Sequence, residues 1–229
     1  YDVLKRIRKK YPRLPIMLCA GGGGRTDYGA LQYFTEFWPS DNTDGLERIF
    51  IQWDYLNFFP ALTVSAHVTT MGKQPLKFRT DVAMMGKMGY DIRVSEMSEK
   101  ELLFSSEAVK TYNRLSEVIW FGDLYKLVSP YEEDRASLMY VDEARNKAVL
   151  FHYILNPRRK EFFDRVLLQG LDPEKRYRVR EINLFPETES VNPSHNKVYS
   201  GDYLMTIGLD LTPGRVRSVI SNVFEIVEE

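Results

Sequence analysis

The run Trp38-Pro39-Ser40-Asp41-Asn42-Thr43-Asp44 places two carboxylates close together and beside an indole. A carboxyl pressed against an aromatic ring loses hydrating water, which raises its pKa toward the working range of a general acid. Taken alone, Asp41 is open between that role and an ordinary turn or cap. Asp44 has a complete structural explanation: it opens a helical pattern with Glu47 three residues on, close to a capping box. Upstream lies Cys19-Ala20-Gly21-Gly22-Gly23-Gly24-Arg25, with Asp27 just beyond. Consecutive glycines let backbone N–H groups approach a ligand and accept positive φ, but they also make a plain turn. No Gly-Lys-Ser/Thr follows them and their spacing is not G-x-G-x-x-G, so neither phosphate fingerprint is present. Cys19 reads equally as a small buried residue at a strand end or as a ligand contact. Arg25 and Asp27 are placed to pair with one another or to orient a pocket. Asp54, in Trp53-Asp54-Tyr55-Leu56-Asn57, falls in mid-helix and points away from any strand-end site. His67 follows a strand, facing a pocket rim or hydrogen-bonded in the structure, and His152 and His195 receive no role. No His/Cys/Asp set has metal-ligand spacing, so neither a metal nor a cofactor is expected.

The elements that must position these residues alternate through the first half of the chain. A basic amphipathic helix over Asp2–Lys10 leads, past Pro12, to residues 14–18, an apolar run typical of a strand buried on both faces. Residues 28–37 are predicted as a short helix and 37–40 as a second strand. Leu46, Ile49, Phe50 and Trp53 recur at helical period over residues 44–58. A third strand is predicted at 61–64 and a fourth at 89–94. Between them, 76–87 is a helix whose Met84, Met85 and Met88 pack a core. Ser98 and Glu101 form a capping box that opens a helix to about Leu115. From Val118 the pattern changes to short β-like runs at 124–127, 136–142, 148–155, 166–168, 177–182, 203–209 and 216–226, separated by turn residues. Alternation followed by consecutive strands predicts an α/β part over residues 1–117 and an antiparallel β-sandwich over 118–229. Four βα units are half of a (β/α)8 barrel.

At 229 residues, with 31 basic against 32 acidic side chains, the chain can bury a core and carries no basic stripe. Nucleic acid is therefore not an expected partner. No apolar run approaches the roughly 20 residues of a membrane helix. One cysteine excludes an internal disulfide framework and leaves the compartment open between cytoplasm and periplasm. The start at Tyr1, inside a helical pattern and without Met, is read as a chain lacking upstream material.

On these motifs the chain resembles the C-terminal half of the glycoside hydrolase family 36 α-galactosidases. Residues 19–25 are similar to that family's CSGGGGR motif, with Ala20 in place of Ser, and residues 38–44 to its W-x-S-D-x-T-D motif. LERIFIQW at 46–53, Ala66-His67-Val68 and FRTDVAMMGKMGYDI at 78–92 agree as well. The resemblance implies a retaining mechanism on terminal α-linked galactose, which needs two carboxylates about 5–5.5 Å apart. It assigns Asp41 as general acid/base and places Cys19, Gly22, Arg25 and Trp38 against a galactoside oligosaccharide. It also implies a K-W-D nucleophile motif one strand upstream of Leu14, which this chain lacks, so the chain alone is expected to be inactive. The half-barrel edge is an unpaired strand edge, which invites dimerisation or pairing with the other half, and a homo-oligomer is expected. Two other readings stay open: a non-catalytic sugar-binding or assembly protein, and a galactosyl-transferring relative such as a raffinose synthase.

Overall fold

The computed structural model describes residues 1–19, 21, 23–156, 164–212 and 219–229. Its first part runs α1 (Asp2–Lys10), β1 (Met17–Leu18), β2 (Glu36–Phe37), α2 (Gly45–Tyr55), β3 (Ser65–Val68), α3 (Leu76–Ala83), β4 (Lys87–Tyr90) and α4 (Glu99–Phe121). β1 pairs parallel with β2, and β3 with β4; a parallel bridge from Phe37 to Val64 joins the two pairs. Side chains alternate between faces along a strand. Phe37, Ala66 and Val68 therefore point toward the helices and are at most 1% exposed. The opposite face carries one row of Met17, Glu36, Ser65 and Lys87. Ser65 Oγ donates to Glu36 Oε2 at 3.1 Å, and Lys87 Nζ lies 3.1 Å from the same oxygen. Two residues on, the next row is Cys19, Trp38, His67 and Gly89.

Several elements differ from expectation for local reasons. Residues 14–18 do not form a strand buried on both faces: only Met17–Leu18 pairs, and Leu14 and Met17 stay 45% and 42% exposed at an uncovered edge. The predicted helix at 28–37 is a single 3-10 turn, Ala30–Gln32, and β2 starts one residue early. Residues 61–63 form a 3-10 turn after Pro60, which moves the third strand to Ser65–Val68. α3 stops at Ala83, so the fourth strand begins earlier, at Lys87; Met84 and Met85 are fully buried, as a core role requires. α4 continues past Leu115 to Phe121, with the Ser98–Glu101 capping box at its start.

Among the described residues the second part holds one antiparallel sheet of six strands: β5 (Asp123–Val128), β6 (Arg135–Val141), β7 (Lys147–Ile154), β8 (Arg176–Ile182), β9 (Lys197–Ser200) and β10 (Ile220–Glu228). Their order is β5-β6-β7-β10-β8-β9. β6 and β7 read as continuous apolar runs because both faces are covered. Leu138, Tyr140, Phe151 and Tyr153 pack on Ile49, Met85 and Leu115 of the helical part. Met139, Val141, Leu150 and Phe224 face a second cluster with Leu168, Leu204 and Leu209. That layer includes α5 (Gly201–Thr206) and an isolated bridge between Val166 and Leu209. Of the strand predicted at 203–209, residues 203–206 are thus helical and only Leu209 makes a β bridge. Ser200 Oγ accepts from Tyr203 N at 3.2 Å and caps the helix. Of the strand predicted at 216–226, residues 216–218 lie outside the described set.

An ion pair within α3 is bonded to the second part through Asn183 and Ser221, and its Lys77 Nζ also donates to Ser221 O at 2.9 Å. Asp81 of α3 is fully buried and its carboxylate takes Lys77 Nζ at 2.5 Å, Asn183 Nδ2 at 2.5 Å and Ser221 Oγ at 2.6 Å. Burial holds its pKa above the usual carboxylate range, against the pull of Lys77. Tyr153 and Tyr140, from the sheet, donate to the carbonyls of Asp81 and Met85 at 2.9 and 2.7 Å, satisfying acceptors that the end of α3 leaves open.

Candidate functional site

β2 delivers Trp38 and Asp41 to the end of the parallel strands. The indole Nε1 donates to Asp41 Oδ1 at 3.2 Å, and the carboxylate itself is exposed. The side chain is therefore not pressed against the ring as the sequence suggested; in its acid form it can protonate, and as the carboxylate deprotonate, a group presented from solvent. The other face of the arrangement comes from β3: His67 meets Trp38 edge-to-face, with ring centroids 4.7 Å apart. Burial lowers the His67 pKa, Arg48 lowers it further, and Asp91 and Glu36 oppose them. Gly89 of β4 is the floor beneath that ring; a Cβ there would lie 2.7 Å from His67 Cδ2 and Nε2.

The loop from Ser40 to Asp44 is fixed by side chains on both flanks. Asp44 Oδ1 accepts from Leu46 N and Glu47 N at 2.9 and 3.3 Å, and Gln74 Nε2 donates to both of its oxygens. Asp44 is the N-cap of α2, as expected, and its carboxylate is committed to that end. Thr43 Oγ1 meets Thr69 Oγ1 at 2.8 Å. Arg48, in the first part of α2, turns inward and is 2% exposed. Its Nη2 donates to Ser40 O at 2.8 Å, its Nε to Asn42 O at 2.8 Å and its Nη1 to Ser65 O at 3.2 Å. The guanidinium also lies 4.7 Å over the Trp38 ring. Burial brings its pKa down to about 10, with Asp41 opposing, so it stays cationic at neutral pH.

The glycine loop is brought to the same end of the strands. Cys19 is exposed at the end of β1, in the row that holds Trp38 and His67. Gly23 must be glycine, because its φ is +82° and a Cβ would strike Pro39 O and the Tyr55 hydroxyl. Arg25 is exposed, and Gly22 lies outside the described residues. Arg25 and Asp27 form no ion pair; Asp27 Oδ1 instead accepts from Ala30 N at 2.9 Å. Asp54 stands on α2 and accepts from the Tyr131 hydroxyl at 2.6 Å, off the strand-end site.

Residues 1–122 match the family model "Melibiase", and residues 135–226 match "Glycosyl hydrolase family 36 C-terminal domain". The chain belongs to the melibiase family. It is 30% identical over 232 residues to alpha-galactosidase AgaA of Geobacillus stearothermophilus, covering 99% of this chain and 30% of that protein. The crystal structure of the GH36 alpha-galactosidase AgaB from the same organism superposes with a TM-score of 0.90 at 30% identity, over 100% of this chain and 30% of the other. A substituted AgaA in complex with raffinose gives 0.89 at 28% identity, over 100% and 31%. The chain therefore spans about 30% of the length of the relatives it matches.

Arg48 is the residue that the motifs did not single out. A signal existed: Arg48 and Gln52 are polar residues four apart beside the apolar stripe of α2, and both are buried. Gln52 Nε2 reaches Val82 O at 2.8 Å, which accounts for one of them in packing terms. The three backbone acceptors of Arg48 lie in other segments, beyond the reach of local pattern.

Proposed function

We propose that this chain supplies the acid/base side of a retaining α-galactosidase acting on terminal α-linked galactose, with raffinose-like oligosaccharides as substrates. The observation that carries the reading is the Trp38–Asp41 pair: an exposed carboxylate, held by an indole N–H at the end of a parallel strand. Asp41 protonates the leaving oxygen and then activates the water that releases galactose. Trp38, Cys19, Gly22 and Arg25 contact the sugar. The nucleophilic carboxylate comes from residues outside this chain, so residues 1–229 alone are inactive. In this reading the four parallel strands are the C-terminal half of a (β/α)8 barrel over residues 1–117, and residues 118–229 form a β domain whose described strands make one antiparallel sheet, faced by helices on one side and by α5 and its neighbouring loops on the other, where a two-sheet sandwich was expected. The raffinose complex of AgaA supports the substrate class.

The test uses protein expressed from the complete reading frame. Asp41→Ala should lower turnover of raffinose by about 10²–10⁴, the range of general acid–base catalysis. Azide should restore turnover of an activated aryl galactoside and yield α-galactosyl azide, because it attacks the β-linked enzyme intermediate without needing a base. Raffinose cleavage by Asp41→Ala at the wild-type rate would overturn the assignment.

A further inference from the structure

Asp41 sits between two residues whose carbonyls are held by a single group. Arg48 donates to Ser40 O on one side and Asn42 O on the other, both at 2.8 Å, and to Ser65 O of β3 at 3.2 Å. It also packs against the face of the Trp38 ring that donates to Asp41. Surface arginines do not make such a set: this one is almost fully buried and spends its fork on backbone acceptors in two segments. A planar guanidinium offers five donors in fixed directions, so its contacts specify where the loop lies as well as that it is held.

We propose that Arg48 is a positioning residue for Asp41: its guanidinium clamps the carbonyls flanking Asp41 and the Trp38 ring, and so sets where the carboxyl meets a leaving oxygen. The role rests on the acid/base reading of Asp41. It has a consequence that fold support alone does not have. Misplacing an acid slows only reactions that need the proton. Cleavage of raffinose expels a poor leaving group and needs it; cleavage of a 2,4-dinitrophenyl α-galactoside expels a stable phenolate and does not. The first irreversible step, reported by kcat/KM, is therefore where the two substrates separate.

The experiment compares kcat/KM on both substrates for wild type, Asp41→Asn, Arg48→Lys and Arg48→Gln, in protein from the complete reading frame, with each variant's melting temperature recorded. Arg48→Lys keeps the charge and loses the fork. It should lose about 10- to 100-fold on raffinose, the scale of a displacement near 1 Å, and under threefold on the dinitrophenyl galactoside. Arg48→Gln should show the same selectivity. Equal losses on both substrates, or a wild-type ratio in whichever variant stays folded, would overturn the proposal; so would the failure of both variants to fold, which would make Arg48 a folding residue. Asp41→Asn separates the two levels. If it also lacks the selectivity, the acid/base reading has failed; if it shows it and the Arg48 variants do not, only the positioning role has failed.

Discussion

Replacing Lys77 by Met tests the joint between the helical part and the sheet. The substitution keeps the length of the side chain and removes the cation from Asp81, whose carboxylate is then left with two neutral donors, Asn183 and Ser221. Removing one partner of a buried ion pair costs about 3–5 kcal/mol. Lys77 is itself 19% exposed, which places the expected loss near the lower end, about 3 kcal/mol, or roughly a hundredfold in the folded-to-unfolded ratio. The cost belongs to the ionised carboxyl, so it depends on pH. Asp81 already titrates above the usual range when folded, and losing Lys77 raises it further. A carboxyl with a raised folded pKa is no burden below its unfolded pKa and becomes one as pH rises toward the folded value. Urea unfolding should therefore show a larger loss at pH 7 than at pH 4, with the slope unchanged. Adding Asp81→Asn to Lys77→Met should recover most of it. A loss below about 1 kcal/mol at pH 7, or the same loss at both pH values, would refute the ion-pair reasoning.

Two further outcomes follow from buried rings. His152 of β7 is fully enclosed and meets Ser137 Oγ at 2.7 Å, and burial lowers its pKa to about 3. Its neutral form contributes stability that is complete above the usual histidine value and is lost as pH falls from about 6.5 toward 3. His152→Asn should flatten the decline of unfolding free energy across that window by a few kcal/mol, read by urea titration at successive pH values. Gly89→Ala places a methyl 2.7 Å from the His67 ring and must move it, and with it the edge-to-face contact on Trp38. Raffinose kcat/KM should fall about tenfold or more; an unchanged value would mean that His67 does not hold Trp38.

The parts of the site that were legible in the sequence are those in which neighbours in space are neighbours in the chain. Trp38 and Asp41 are three residues apart, and Asp44 caps the helix that follows it, so both contacts are local. The capping box at Ser98 and the buried methionines were readable for the same reason. Arg48 and Asp81 were not: Arg48 bonds carbonyls six and eight residues back and one seventeen residues on, outside helical spacing, and Asp81 draws on Asn183 and Ser221, far along the chain. Residues 203–209 misled in another way. Their aromatic and aliphatic content favours a strand, but Ser200 caps a helical turn, and Tyr199 and Tyr203 stack at 5.1 Å. Strand ends shifted wherever a 3-10 turn intervened, as at residues 61–63.

The alternation along the parallel strands has a consequence for how such a protein can change. Cys19, Trp38, His67 and Gly89 face the site, whereas Phe37, Ala66 and Val68, one residue away, face the helices and are almost wholly buried. Adjacent codons thus answer to different demands. A substitution in the first set alters what the pocket accepts and leaves the packed layer untouched; one in the second set alters folding and leaves the pocket chemistry in place. Preference for a ligand can drift under such an arrangement while thermal tolerance stays constant, and the reverse.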